Sequence, residues 1–106
     1  HTTRYEEAVR LIERALALSP NEAAILDSLG WVYFKQGRLQ EALGVLRRAY
    51  EQLPDPEVAA HLGETLWVLG RRDEAIHIWR AALDVDASNR HVTSTLNRLG
   101  LELSEH

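Results

Sequence analysis

No cysteine occurs anywhere in the 106 residues, which excludes disulfide staples and thiolate metal sites and leaves the redox compartment open. A basic surplus is also missing. Twelve basic and sixteen acidic side chains give a formal charge of -4, the opposite of a nucleic-acid footprint. The pairs Arg47-Arg48 and Arg71-Arg72 lie among acids and read as solvated helix faces. No apolar run approaches the ~20 residues that a membrane span needs, and the N-terminus has no basic region followed by an apolar segment of secretory type. Aromatic residues are few, at 7%, so wherever two of them stand close together the spacing carries information.

Catalytic signatures are lacking too. His61 and Glu64 fall one helical turn apart, as do Glu74 and His77, and such pairs imitate acid-base or metal sites. Metal binding, however, needs three or four converging ligands, and there is no HExxH or other dense cluster. No serine or threonine sits in a nucleophile motif, and no glycine-rich loop follows a strand. Both histidine pairs therefore read as surface hydrogen bonding, and neither a cofactor nor catalysis is expected. What remains is a chain of 45% hydrophobic and 26% charged residues, typical of a folded domain and short for an enzyme.

The chain repeats itself. Ala8, Ile12, Ala15 and Pro20 recur at one constant offset as Ala42, Leu46, Ala49 and Pro54. Gly30, Gly37, Ala42, Leu46 and Ala49 then recur as Gly63, Gly70, Ala75, Trp79 and Ala82, at an offset shorter by a single position. Within each period the apolar residues follow helical spacing: Ile25, Leu26, Leu29, Val32 and Tyr33, then Leu39, Ala42, Leu43, Leu46 and Ala49. Gly37 and Gly70 stand where a helix should stop, because glycine takes the left-handed conformation of a C-terminal cap without a clash. Each period is thus a helical hairpin. Ser19-Pro20-Asn21 and Asp55-Pro56 supply turn and N-cap chemistry between hairpins. The spacing predicts helices at about 4–18, 22–36, 39–52, 56–69, 72–84 and 89–103.

These positions resemble the tetratricopeptide repeat, whose period matches the offset between the copies. Leu29, Gly30, Tyr33, Gly37, Ala42, Leu46, Ala49 and Pro54 fill the pattern in the first full copy, with YFKQG close to the consensus. Leu62, Gly63, Leu66, Gly70, Ala75, Trp79 and Ala82 fill it in the next. The departures are Leu26 or Ala59 in place of an early tryptophan, and Ala87 in place of the last proline. The resemblance implies an all-α fold, a right-handed α-α superhelix of about six helices forming one domain over 1–106. Residues 4–20 match the second helix of a truncated repeat, 22–55 and 56–88 are full repeats, and 89–103 form a closing helix more polar than internal ones.

Gly30 and Gly63 cost roughly 0.5 to 1 kcal/mol each inside a helix, which close packing has to offset. The reading is that they let backbones approach, with Ala42 and Ala75 as the facing small residues. Trp79 falls at a large-residue core position. Beside the packing face runs a second stripe: Ala24, Asp27, Trp31, Phe34 and Lys35, then Glu57, Ala60, His61, Glu64 and Trp67. In the family these places line a concave groove for an extended peptide or a partner helix. The family's carboxylate clamp of lysine, asparagine and arginine is replaced by Asp27, Ser28, Trp31, Glu57 and His61, so a basic or apolar protein or peptide is the expected partner.

The sequence thus predicts a non-catalytic protein-interaction scaffold, with no cofactor, no nucleic-acid partner and no membrane insertion by this segment. Two alternatives stand beside it. One is a docking or regulatory C-terminal end of a larger enzyme. The other is self-association, a homodimer formed through the truncated first helix, where Val9, Ile12 or Leu16 would be partly uncovered. The strings DSLGW and HLGETLW are similar to the final repeats of bacterial envelope-associated members of the family, which leaves the cytoplasm and the periplasm or outer membrane as candidate locations.

Overall fold

The structure is a computed structural model that describes residues 2–103. Six α-helices make up the described chain: α1 (Thr2–Leu18), α2 (Ala23–Lys35), α3 (Leu39–Gln52), α4 (Pro56–Val68), α5 (Arg72–Val85) and α6 (Arg90–Leu99). None of them is long and apolar enough to cross a membrane. They fall into two compact units, α1 to α3 and α4 to α6, divided between Pro54 and Asp55.

In the first unit α2 packs on both α1 and α3. Leu26, Leu29, Gly30 and Tyr33 are buried along one face of α2, at the helical spacing that puts them in one stripe, and Ala42, Leu43, Leu46 and Ala49 do the same on α3. The turn between these helices is closed by Gly37 at φ 81°. There the Arg38 N–H donates to the Tyr33 carbonyl at 2.9 Å, the bond that ties off a helix when the cap is left-handed. The Arg38 guanidinium then lies 4.2 Å from the Tyr33 ring centroid and grips Glu41 through Nε–Oε1 at 2.9 Å. Gly70 at φ 86°, with Arg71 N–H donating to Leu66 at 2.9 Å, repeats the closure between α4 and α5.

The helical glycines make room for large side chains of the second helix of each hairpin. A Cβ on Gly30 would lie 2.5 Å from Leu46 Cγ, and one on Gly63 would lie 2.1 Å from Trp79 Nε1. Each glycine is the seat of a large side chain from the second helix of its hairpin. Leu46 and Trp79 are both fully buried, and burying a side chain of leucine size stabilises by about 2 kcal/mol, which more than offsets a helical glycine.

Two helix ends differ from expectation. The N-cap of α2 is Glu22, which makes no side-chain capping bond, so Asn21 does not cap this helix. Asp55 does cap α4, accepting from the Val58 N–H at 3.0 Å with Pro56 at the first helical position. The last helix, expected to run to 103, stops at Leu99 because Gly100 turns left-handed at φ 72° and the Leu101 N–H donates to the Leu96 carbonyl at 2.8 Å. At its start Asn89 accepts from the N–H groups of His91 and Val92. On α1, Val9 is buried rather than uncovered, Ile12 and Leu16 are half-buried, and the exposed large apolar residues are Leu11 and Leu18.

Candidate functional site

The stripe on α2 holds an aromatic pair. Trp31 and Phe34, one turn apart, stack with ring centroids 4.5 Å apart and planes within 8°, and both are half-buried. Lys35 Nζ lies 5.1 Å from the Trp31 centroid, so its charge rests on the ring while the side chain stays exposed. Ala24 is exposed, whereas Asp27 is buried, only 7% exposed. Stacking of this kind is worth about 0.5 to 1.5 kcal/mol beyond area burial. It also fixes the two rings as one rigid plate, part of it still open.

On α4 the predicted residues differ in exposure. Glu57 is exposed in the first turn and His61 is half-buried, its carbonyl accepting from Thr65 Oγ1 at 2.8 Å. Ala60 is buried, 2% exposed, and leaves a ligand almost nothing to touch. Trp67 tilts against Trp79 of α5 at 5.9 Å between centroids, and the Arg72 guanidinium sits 4.6 Å over its ring. These contacts tie it into its own hairpin and leave it half-buried.

Glu64 is the largest departure from the expected acidic stripe. It is 5% exposed and held by Arg98 of α6 in a two-pronged ion pair, Nη2–Oε1 at 2.6 Å and Nη1–Oε2 at 2.8 Å. The bond to Glu64 drives the Arg98 pKa further above its ordinary value, so the guanidinium stays charged. This acid is therefore paired from within its own unit. Arg98 was missed from sequence, although the signal exists: Trp31, Glu64 and Arg98 occupy one register, each a repeat length after the one before. The weak match of α6 to the repeat concealed it.

The comparisons agree with this architecture. The tetratricopeptide repeat pattern matches residues 2–55 and, in an overlapping match, 33–99. The chain belongs to the tetratricopeptide repeat family. Such domains are usually non-catalytic and typically mediate protein–protein interaction. TPR repeat-containing protein PA4667 of the bacterium Pseudomonas aeruginosa is 56% identical over 63 residues, covering 59% of this chain and 11% of that protein. Human tetratricopeptide repeat protein 7A is 35% identical over 85 residues, covering 79% of this chain and 10% of the relative. The chain thus spans about a tenth of the length of these curated relatives. Among solved structures, the TPR protein TTC0263 of Thermus thermophilus superposes with a TM-score of 0.83 at 25% identity, over 94% of this chain and 52% of that one. The second TPR domain of human RPAP3, solved with an HSP70 peptide, reaches 0.79 at 20% identity over 95% and 85%, a likeness of fold.

Proposed function

We propose that this chain is a non-catalytic docking module in which the first helix of each hairpin, α2 in one unit and α4 in the other, offers its own face to a peptide or a partner helix, with a preference for apolar and basic side chains. The observation that carries the reading is the Trp31–Phe34 plate, two aromatic rings stacked at 4.5 Å and left partly open on a helix face whose own core contacts are made by other residues. Aromatic side chains supply a large share of contact energy at interfaces. Ala24 and Lys35 flank the plate on α2, and Glu57 and His61 supply the accessible polar groups on α4. The family's typical use for protein interaction supports the same reading.

We further propose that the chain forms part of a longer bacterial array of the envelope-associated kind. The DSLGW and HLGETLW strings and the identity to PA4667 support this. The test of the docking surface uses an acetylated, amidated peptide of alternating arginine and leucine, with its glutamate–leucine counterpart, titrated against the protein by tryptophan fluorescence. The basic peptide is expected to bind more tightly, and Trp31→Ala to weaken it about tenfold, the loss of ~1.4 kcal/mol that one aromatic contact provides. Equal affinity in wild type and Trp31→Ala, or preference for the acidic peptide, refutes the assignment.

A further inference from the structure

Two leucines of α1 face water: Leu11 is 63% exposed and Leu18 87% exposed. Ala8 and Ala15 lie in the same stripe of the helix, each half-buried. The repeat shows what kind of face this is. Ala8, Ile12 and Ala15 stand one period before Ala42, Leu46 and Ala49 of α3, which are 0% exposed, Leu46 being seated on Gly30 of α2. On α1 the same three places are only half-buried, because α2 packs on the adjacent side, where Val9 is the buried residue. The helix therefore carries a packing face made like that of α3 and left partly open. A shallow hollow beside Leu11, lined by Glu7, Arg10, Leu11 and Arg14, borders it.

The order of residues along the face indicates what fits it. Ala8, Leu11, Ala15 and Leu18 alternate small and large at spacings of three and four, the seam along which two helices pair. In a parallel pair alanine would meet alanine and leucine would meet leucine, leaving gaps at every second layer. In an antiparallel pair leucine meets alanine and the layers fill. The charges agree with the second arrangement. Glu7 and Arg14 are exposed along one edge of the seam; reversing one helix brings each to its opposite on the other copy, whereas parallel pairing sets them beside the uncharged Ile12 and Ser19. We propose that a second copy of this chain covers the face. The two α1 helices pack antiparallel across a two-fold axis, Leu11 of each on Ala8 of the other, and the Glu7–Arg14 pair forms twice. The aliphatic stem of Arg4 lies over Ala15 of the second copy with its charge in water, and Leu18 falls beyond the overlap. The contact is made by α1 alone and is independent of the docking reading of α2 and α4.

Sedimentation equilibrium over a wide range of concentration tests the pairing. The wild-type mass is expected to rise from 12.0 kDa toward twice that value. Leu11→Gln removes two leucines from the seam and should weaken association about a hundredfold. Leu18→Gln, outside the overlap, should change it about twofold at most. Glu7→Arg and Arg14→Glu should each weaken it, the first about tenfold, since two ion pairs turn into repulsions and Arg10 adds a further cation near residue 7. Mixed in equal amounts, these two variants should associate as strongly as wild type, because a mixed pair again joins opposite charges at both contacts. Effects within one helix cannot produce that recovery. All four side chains are exposed, and an unchanged far-UV circular dichroism spectrum verifies that each variant is folded. A wild-type chain that stays at 12.0 kDa at every concentration leaves the face to another occupant and overturns the proposal, as does a dimer that survives Leu11→Gln. Leu18→Gln as damaging as Leu11→Gln, or a mixture no stronger than its components, overturns the Glu7–Arg14 register. None of these outcomes bears on peptide binding at Trp31.

Discussion

Replacing Gly63 with alanine places a methyl carbon 2.1 Å from Trp79 Nε1, 2.5 Å from Cε2 and 2.7 Å from Cδ1. The indole is fully buried, so it has no open space to move into, and the helices must separate or the ring must leave its rotamer. Overpacking of this kind costs about 1 to 3 kcal/mol. Alanine recovers about 1 kcal/mol of helix propensity, and because a rigid ring rather than a flexible chain end is in the way, the net expectation is a loss of about 2 kcal/mol. Gly44 is the internal control. It lies inside α3, is exposed, and has nothing within 4 Å of a built Cβ, so Gly44→Ala should show the propensity gain alone, about 0.5 to 1 kcal/mol of stabilisation. Urea unfolding followed by far-UV circular dichroism reads both. The two variants should thus move in opposite directions. The double variant Gly63→Ala/Trp79→Ala should be less destabilised than the sum of its single changes, because the clash disappears with the ring. If Gly63→Ala is as stable as wild type, or Gly44→Ala is destabilised equally, the seat argument is wrong.

Asp55→Ala removes the acceptor that caps α4 and should cost about 1 kcal/mol; an unchanged urea midpoint counts against the cap. Asn89→Ala should speed amide exchange in the first turn of α6 while leaving α2 and α3 unaffected, which site-resolved hydrogen exchange tests. Glu41 titrates below the ordinary carboxylate range, chiefly because Arg38 hydrogen-bonds its ionised form. A carboxylate with a depressed folded pKa contributes stability above its unfolded pKa and loses that contribution as pH falls through the folded value. Arg38→Gln should therefore return the Glu41 midpoint upward, toward the ordinary range, in a carboxyl NMR titration; a midpoint that stays low assigns the shift to another group.

How much of this was legible beforehand differs from residue to residue. The helices were readable because Leu26, Leu29 and Tyr33 recur at helical spacing and Gly37 and Gly70 each demand a positive φ that few other residues tolerate. Burial of Trp79 followed from its register with Leu46. The partner of each helical glycine was not readable, because spacing reveals that a glycine leaves room and not which side chain fills it; Leu46 and Trp79 fill it. The stop at Leu99 is not what spacing suggests, although Gly100 stands there, because Leu101 and Leu103 prolong the apolar pattern of a closing helix. Glu64 was read as an open acid because its partner lies a whole repeat away, on a helix that matches the family poorly. Pairings at that distance depend on how α6 lies against α4, which sequence periodicity does not encode. The same limit applies to Trp67, whose contacts with Trp79 and Arg72 draw on α5.

The seats at Gly30 and Gly63 have a consequence for how such a chain diversifies. A hairpin that accepts leucine in one copy and tryptophan in the next, opposite the same absent methyl, changes the bulk carried by its second helix without altering the length of either helix or the turn that joins them. Duplicated copies can then drift in heft at one spot while their joints remain interchangeable, which makes the hairpin a unit that tolerates being copied.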